Sequence, residues 1–157
     1  MPRNVKSQLV DALIAAFRAS GNQDDAFDNL AAKRLGVNRT DLHCLNTIEN
    51  AGGLTAGRLA SEVGLTTGAV TGVIDRLERA GLARRVPDPE DRRRVMVEVT
   101  EAFYEQAREI WAPLHDDWVA ELSRRFTVAE LERITDFLAV TNDVGRRHLR
   151  RLAETSP

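Results

Sequence analysis

The sequence has few of the features that mark secreted, membrane-embedded or nucleic-acid-coating proteins. One cysteine among 157 residues excludes an intrachain disulfide and fits a reducing compartment. No stretch approaches the roughly 20 apolar residues that span a bilayer, and the first residues lack the apolar core of a signal peptide. The net charge of −2 argues against a surface that binds nucleic acid everywhere. We therefore expect a soluble cytoplasmic protein with no membrane contact, whose nucleic-acid surface, if present, is local.

Patterns that indicate catalysis or metal binding are also missing. The chain contains no GxSxG, HExxH, CxxC or phosphate-binding loop, so we expect no enzyme activity and no cofactor. His43 and His115 have no partner ligand at the i,i+4 spacing of a helical zinc site, so no metal site is expected. Cys44 lies between Leu42 and Leu45, which favours a small buried side chain. An oxidant- or zinc-responsive protein remains an alternative.

Hydrophobic periodicity predicts three helices in the first third of the chain. The first covers residues 5–19 and ends at the "SGNQ" stretch, residues 20–23. A second, short helix is predicted to follow, because its acidic start and basic end match the helix dipole. It is expected to stop before Gly36. A third helix begins after Asn38 or Thr40 and buries Leu42, Leu45 and Ile48.

Residues 54–99 then change from helical to strand periodicity. Two short helices are predicted after a Thr55 cap and on either side of a turn at Gly64, a pairing typical of a helix-turn-helix. The second buries Val70, Ile74 and Leu77. The stretches "LARRV" and "VMVEV", separated by "PDPED", alternate with period two and predict a β-hairpin. A hairpin directly behind a helix-turn-helix indicates a winged helix-turn-helix.

The remaining sequence predicts two long helices. The first covers residues 101–125, with a bend expected at Pro113. Residues 127–130, "TVAE", form a capping box for the last helix, in which four residues are expected to be buried: Leu131, Ile134, Leu138 and Leu149. The fold class is therefore mainly α with a small β-hairpin. A winged helix-turn-helix at residues 38–100 lies inside a helical dimerisation framework formed by residues 1–37 and 101–157.

Positive charge is concentrated at the hairpin. Residues 82–97 contain five arginines and three acids, a local charge of +2 that leaves −4 for the rest of the chain. The arginines are Arg84, Arg85, Arg92, Arg93 and Arg94. Such a local basic patch beside a helix-turn-helix favours binding of double-stranded DNA. A winged helix that binds only proteins is the alternative.

Residues 38–100 resemble the winged helix-turn-helix of the multiple-antibiotic-resistance regulator (MarR) family. The resemblance rests on "VIDRLERAGL" at the end of the second helix and on "DPEDRR" in the wing. Asp91 and Arg93 match the family's wing aspartate and arginine, and we expect Asp91 to orient the Arg93 guanidinium. The resemblance implies a homodimeric, cytoplasmic repressor that binds a pseudo-palindromic operator and is released by a small effector, for which the family-level expectation is an aromatic compound.

Four groups of candidate functional residues follow. In the second helix of the pair, DNA contacts are predicted for Thr66, Thr67, Gly68, Thr71 and Arg76. In the wing they are predicted for Arg92, Arg93 and Arg94, supported by Asp91. The effector site is expected near His43, Trp111 and His115. The dimer interface is expected to include Leu13, Phe17, Leu138 and Leu149.

Overall fold

A computed structural model describes residues 4–89, 91 and 93–155. In chain order the elements are α1 (Val5–Arg34), α2 (Arg39–Ala51), β1 (Leu54–Thr55), α3 (Ala56–Val63), α4 (Thr67–Arg79), β2 (Ala83–Pro87), β3 (Val95–Val99), α5 (Glu101–Arg125) and α6 (Val128–Thr155). The chain divides into two compact units, Met1–Ile110 and Trp111–Pro157. Among the described residues, no helix is apolar over enough of its length to cross a bilayer.

Helix α1 is one continuous helix, where the sequence predicted two. It runs through residues 20–23 without interruption and ends at Arg34. A lone glycine inside a helix costs about 1 kcal/mol relative to alanine, which a helix of 30 residues tolerates when no proline or left-handed residue accompanies it. Gly21 is not among the glycines with positive φ. The predicted break was therefore wrong.

The first unit has its core where α2, α3, α4 and the hairpin meet. The predicted apolar lines of α2 and α4 are confirmed, since Leu42, Leu45, Ile48, Val70, Ile74 and Leu77 are all fully buried. Phe103, in the first turn of α5, is also buried. The start of α5 is tied to the end of α4 by Thr100, whose hydroxyl donates to the Gly81 carbonyl at 2.6 Å. The winged region, residues 38–100, thus shares its unit with α1 and the beginning of α5.

The sheet has three strands, where the sequence predicted two. Strand order is β1-β3-β2, all antiparallel, with Leu54 opposite Val97 and Arg85 opposite Val97 on the other side. The two residues of β1 are too few to show an alternating pattern. Of the three valines that alternate along β3, Val97 is buried, Val99 is half-buried and Val95 is exposed.

The second unit begins inside α5 and contains α6. The capping box of α6 is confirmed: Glu130 accepts from the Thr127 backbone N–H at 2.8 Å, and the Thr127 hydroxyl accepts from the Glu130 N–H at 3.4 Å. Pro113 lies inside α5, and the bend expected there stays a prediction. The burial predicted for Leu131, Ile134, Leu138 and Leu149 is wrong for the single chain, in which the first is half-buried and the other three are exposed. An apolar stripe is buried only where another surface covers it.

Candidate nucleic-acid interface

Helices α3 and α4 form the predicted helix-turn-helix, and local signals fix its turn. Thr55 caps α3 by accepting the Arg58 N–H at 3.3 Å, and Thr66 caps α4 by accepting the Ala69 N–H at 3.2 Å. Gly64 ends α3 with φ +68°, a left-handed conformation that glycine adopts without a steric penalty. The turn between the helices is therefore short and well defined.

The start of α4 presents small side chains to solvent. Thr66, Thr67, Gly68 and Thr71 are all exposed, opposite the buried side of the helix. The Thr71 hydroxyl donates to the Thr67 carbonyl at 2.9 Å, and a Cβ added at Gly68 would meet no atom within 4 Å. The structure thus brings four of the five predicted α4 residues onto one exposed end that another molecule can approach closely.

The fifth residue, Arg76, has a structural partner that sequence analysis missed. Its Nε and one terminal nitrogen donate to the two carboxylate oxygens of Asp41 in α2, at 3.0 and 2.6 Å. Asp41 is 2% exposed, and its hydrogen bond raises the pKa of the Arg76 guanidinium. The pair joins α2 to α4 across 35 positions of sequence, a separation over which no local pattern links the two residues. A DNA contact by Arg76 stays a prediction.

The wing turn is organised by two aspartates. The Asp88 N–H donates to the Arg94 carbonyl at 3.0 Å, and the Arg94 N–H donates to the Asp91 carbonyl at 2.9 Å. Asp91 Oδ1 accepts the backbone N–H of Arg93 at 3.0 Å, and orientation of the Arg93 guanidinium by Asp91 stays a prediction. The buried Asp88 carboxylate lies 3.6 Å from Arg94 Nε. Arg92 lies outside the described residues.

Two of the five hairpin arginines are paired with acids, Arg84 within the hairpin and Arg85 with α4. Arg84 faces Glu98 across the hairpin, with 3.4 Å between Nη2 and Oε2. Arg85 donates to Asp75 at 2.8 Å and also to Glu78, both in α4. The hydrogen bond to Asp75, together with the charge of Glu78, raises the pKa of the Arg85 guanidinium. The five arginines are therefore not one uniform basic surface.

His43 lines an open groove of about 420 Å³ within the first unit, together with Asp28, Arg39, Thr40, Leu42, Asn46, Val63 and Leu65. Arg39 is held by Asp25 at 2.5 Å and lies 3.6 Å from Asp28. Trp111 and His115, the other two residues expected at the effector site, belong to the second unit. The structure thus places His43 at a groove, and an effector site that His43 shares with Trp111 and His115 stays a prediction.

Cys44 is fully buried beside the Asp41–Arg76 pair. Burial, reinforced by the charge of Asp41, raises the pKa of the thiol to about 11. Such a thiol is protonated and shielded at neutral pH, which disfavours reaction with oxidants. Within residues 4–89, 91 and 93–155, no cluster of three or more histidine, cysteine or carboxylate side chains could hold a metal ion.

Comparison with known proteins agrees with this geometry. The MarR family model matches residues 37–95. The chain is 37% identical over 152 residues to YcgE of Bacillus subtilis, an uncharacterized HTH-type transcriptional regulator, covering 97% of this chain and 98% of that protein. Among solved structures, RV1404 from Mycobacterium tuberculosis aligns with a TM-score of 0.65 at 21% identity, covering 92% of this chain and 97% of the other. A cysteine-to-serine mutant of MarR from E. coli, complexed with operator DNA, aligns with a TM-score of 0.54 at 22% identity, covering 88% and 98%.

The identity to YcgE extends over almost all of both chains, and the family model covers the helix-turn-helix and most of the wing. The resemblance found in the sequence is thereby confirmed, as is a mainly helical fold with a small antiparallel sheet. This chain belongs to the MarR family of winged helix-turn-helix transcriptional regulators.

Proposed function

We propose that this regulator binds double-stranded operator DNA, with the start of α4 in the major groove and the wing in an adjacent minor groove. The observation that carries the proposal is the exposed end of α4, where Thr67, Gly68 and Thr71 lie opposite a fully buried apolar face. A helix inserted into the major groove contacts base edges with its N-terminal residues. Small hydroxyl residues permit that approach, and the helix N-terminus favours phosphate.

The wing supports the same proposal because its tip combines a defined turn with exposed arginines. Asp91 accepts the backbone N–H groups of Arg93 and Arg94, and the Asp88 N–H donates to the Arg94 carbonyl. Arg93 and Arg94 are exposed at this turn. Guanidinium groups favour narrow minor grooves, where the electrostatic potential is most negative. DNA binding has direct precedent in the operator complex of E. coli MarR.

We also propose that the protein acts as a homodimer. Apolar side chains remain exposed on the single chain in α1 and α6, including Leu13, Phe17, Leu138 and Leu149, which are 47%, 39%, 42% and 68% exposed. Exposed apolar side chains that recur along a helix in this way mark protein–protein contacts. A twofold axis would present two α4 helices to half-sites about 10 bp apart or a multiple of that spacing.

The family resemblance further suggests a repressor whose DNA affinity falls when a small effector binds. The groove at His43 is a candidate for that effector, since it combines apolar walls at Leu42, Val63 and Leu65 with polar groups. Pockets for small molecules commonly have this mixed composition.

Selection of bound duplexes from random DNA, followed by fluorescence anisotropy between 50 and 300 mM salt, tests the DNA proposal. Affinity should fall steeply with salt, because phosphate contacts release counterions. Arg93→Ala should weaken binding by ~1–3 kcal/mol, whereas Arg133→Ala, an exposed α6 arginine outside the winged region, should have little effect. Absence of duplex binding at 50 mM salt would leave the protein-interaction alternative.

Thr67→Ala and Thr71→Ala separate base contacts from backbone contacts. If these residues face base edges, their replacement changes sequence preference and leaves the salt dependence unaltered. A change only in salt dependence would mean that α4 lies differently in the groove.

A further inference from the structure

Arg85 lies in β2 and connects the wing to α4 by three hydrogen bonds. One terminal nitrogen donates to Asp75 Oδ1 at 2.8 Å, and the other donates to Glu78 Oε2. The Arg85 backbone N–H donates to Glu78 Oε1 at 2.9 Å. We call Arg85, Asp75 and Glu78 the Arg85 cluster. The two carboxylates of the cluster lie one helical turn apart on α4. Together they accept hydrogen bonds from the side chain and from the backbone N–H of Arg85.

The charge of the Arg85 cluster distinguishes it from a DNA contact. One guanidinium faces two carboxylates, so the cluster has a net charge of −1 and adds no attraction for phosphate. The Arg85 side chain is 35% exposed, compared with 64% for Arg84, whose acidic partner Glu98 belongs to the hairpin itself. Of these two arginines, Arg85 is therefore the one that contacts an element outside the hairpin.

The Arg85 cluster joins β2 to α4 at a point beyond the short connection between these two elements. Strand β2 is at the edge of the sheet, and α4 is followed by a short connection in which the Leu82 N–H donates to the Leu77 carbonyl at 2.9 Å. The hairpin is also held by β1, which pairs with β3, and by Val97 in the core. Both of these contacts involve β3, whereas the hydrogen bonds of Arg85 attach β2 itself to α4 beyond the connection and thereby constrain the angle between the wing and α4.

We propose that Arg85 is a positioning residue that holds the wing at the angle to α4 at which both bind one duplex. The proposal rests on the proposed DNA-binding function. When the cluster is broken, α4 and the wing remain individually intact but no longer bind as one preorganised surface. Operator affinity falls although no DNA contact has been removed.

The decisive variant removes the acids and leaves the arginine in place. Asp75→Asn combined with Glu78→Gln makes the winged region more positive by two charges, so electrostatics alone would tighten DNA binding. The positioning role gives the opposite sign, a loss of about tenfold in operator affinity. Equal or tighter binding by the folded double variant overturns the proposal.

A double-mutant cycle between Arg85→Met and Arg93→Ala provides the second test. If Arg85 positions the wing, Arg93→Ala costs less affinity in the Arg85→Met background, because the wing tip is already displaced. Arg84→Met, which removes the same charge one residue earlier, should be additive with Arg93→Ala. Additivity of Arg85→Met with Arg93→Ala overturns the proposal. So does a decrease of about 0.9 in the salt slope for Arg85→Met, which would identify a phosphate contact.

Hydrogen exchange on the DNA-free protein separates failure of this proposal from failure of the DNA-binding function. Arg85→Met should accelerate exchange in residues 83–99 and leave α2 and α3 protected. Arg85→Lys, which keeps the charge but has one donor group in place of the guanidinium fork, should restore part of this protection. Unchanged exchange in Arg85→Met overturns the proposal whether or not wild type binds DNA. A wild-type protein that binds no duplex contradicts the DNA-binding function.

Discussion

The Asp41–Arg76 pair gives the sharpest test of how α4 is held in the winged region. Asp41 is 2% exposed, while the Arg76 side chain is 43% exposed. Arg76→Met removes both hydrogen bonds to a carboxylate that stays buried, and breaking a buried ion pair in this way typically costs about 3–5 kcal/mol. Two features reduce that cost here. Asp41 lies in the first turn of α2, where the helix dipole favours a negative charge, and water can enter from the exposed side of Arg76. We therefore expect a loss of about 2–3 kcal/mol in the free energy of unfolding.

Asp41→Asn should cost less, about 1–2 kcal/mol, because the amide keeps one oxygen that accepts from Arg76 while the charge is lost. The double variant should cost less than the sum of the two single variants, with a coupling of about 1–2 kcal/mol. Arg79→Met is the matched control on the same helix. The Arg79 guanidinium donates to the Asp75 carbonyl at 3.2 Å, so this variant should stay within about 0.5 kcal/mol of wild type.

Urea denaturation followed by circular dichroism measures these differences, at one fixed protein concentration because the proposed dimerisation would contribute to apparent stability. If Arg76→Met costs no more than Arg79→Met, or if the cycle shows no coupling, the ion pair does not hold α4 against α2. DNA binding by the folded Arg76→Met protein tests the other predicted role. A salt slope reduced by about 0.9 would identify Arg76 as a phosphate contact as well.

Three further predictions concern other parts of the chain. Cys44, with its pKa raised to about 11, should resist alkylation at pH 8 in the native state. Its contribution to stability is complete below pH 9 and falls by about 2–3 kcal/mol as pH rises through 11; rapid alkylation of native protein would contradict its burial. Gly53→Ala should destabilise by about 1–3 kcal/mol, since φ is +104° and a Cβ would lie 3.1 Å from Glu98 Cγ. Gly57→Ala in α3, where a Cβ meets nothing within 4 Å, should be neutral or stabilising in the same urea denaturation experiment. Leu138→Asp should yield monomers in sedimentation and reduce operator affinity toward that of a single module; a dimer that still binds tightly would refute the proposed interface.

Much of the winged region could be predicted from the sequence because its elements begin and end through local contacts. The hydroxyl of Thr55 accepts a backbone N–H three residues later, which makes the start of α3 recognisable from spacing alone. The hydroxyl of Thr66 caps α4 in the same way, although the sequence predicted only a DNA contact for it. The capping box at Thr127 and Glu130 is recognisable from spacing as well. The change from helical to period-two spacing after Gly81 likewise located the hairpin. These interactions are complete within a few residues and do not depend on the rest of the fold.

The same local reasoning failed where length and context outweigh a weak signal. Residues 20–23 resemble a helix break, yet α1 continues through them, since the cost of Gly21 is small compared with the stability of a long helix. The two residues of β1 form a strand only because Val97 lies beside Leu54 in space.

Only the tertiary structure decided which of the arginines serve the fold. In the sequence, Arg76, Arg84, Arg85 and Arg94 look alike, and each was associated with a basic DNA surface. Arg76 is paired with Asp41, 35 positions away, and Arg85 is held by two acids of α4. The function of a charged side chain depends on which opposite charges lie within hydrogen-bonding distance, and that distance is set by how helices and strands pack. The sequence by itself determined that positive charge gathers at a winged helix-turn-helix, whereas the packing of α2 and the hairpin against α4 determined how two of those charges are used.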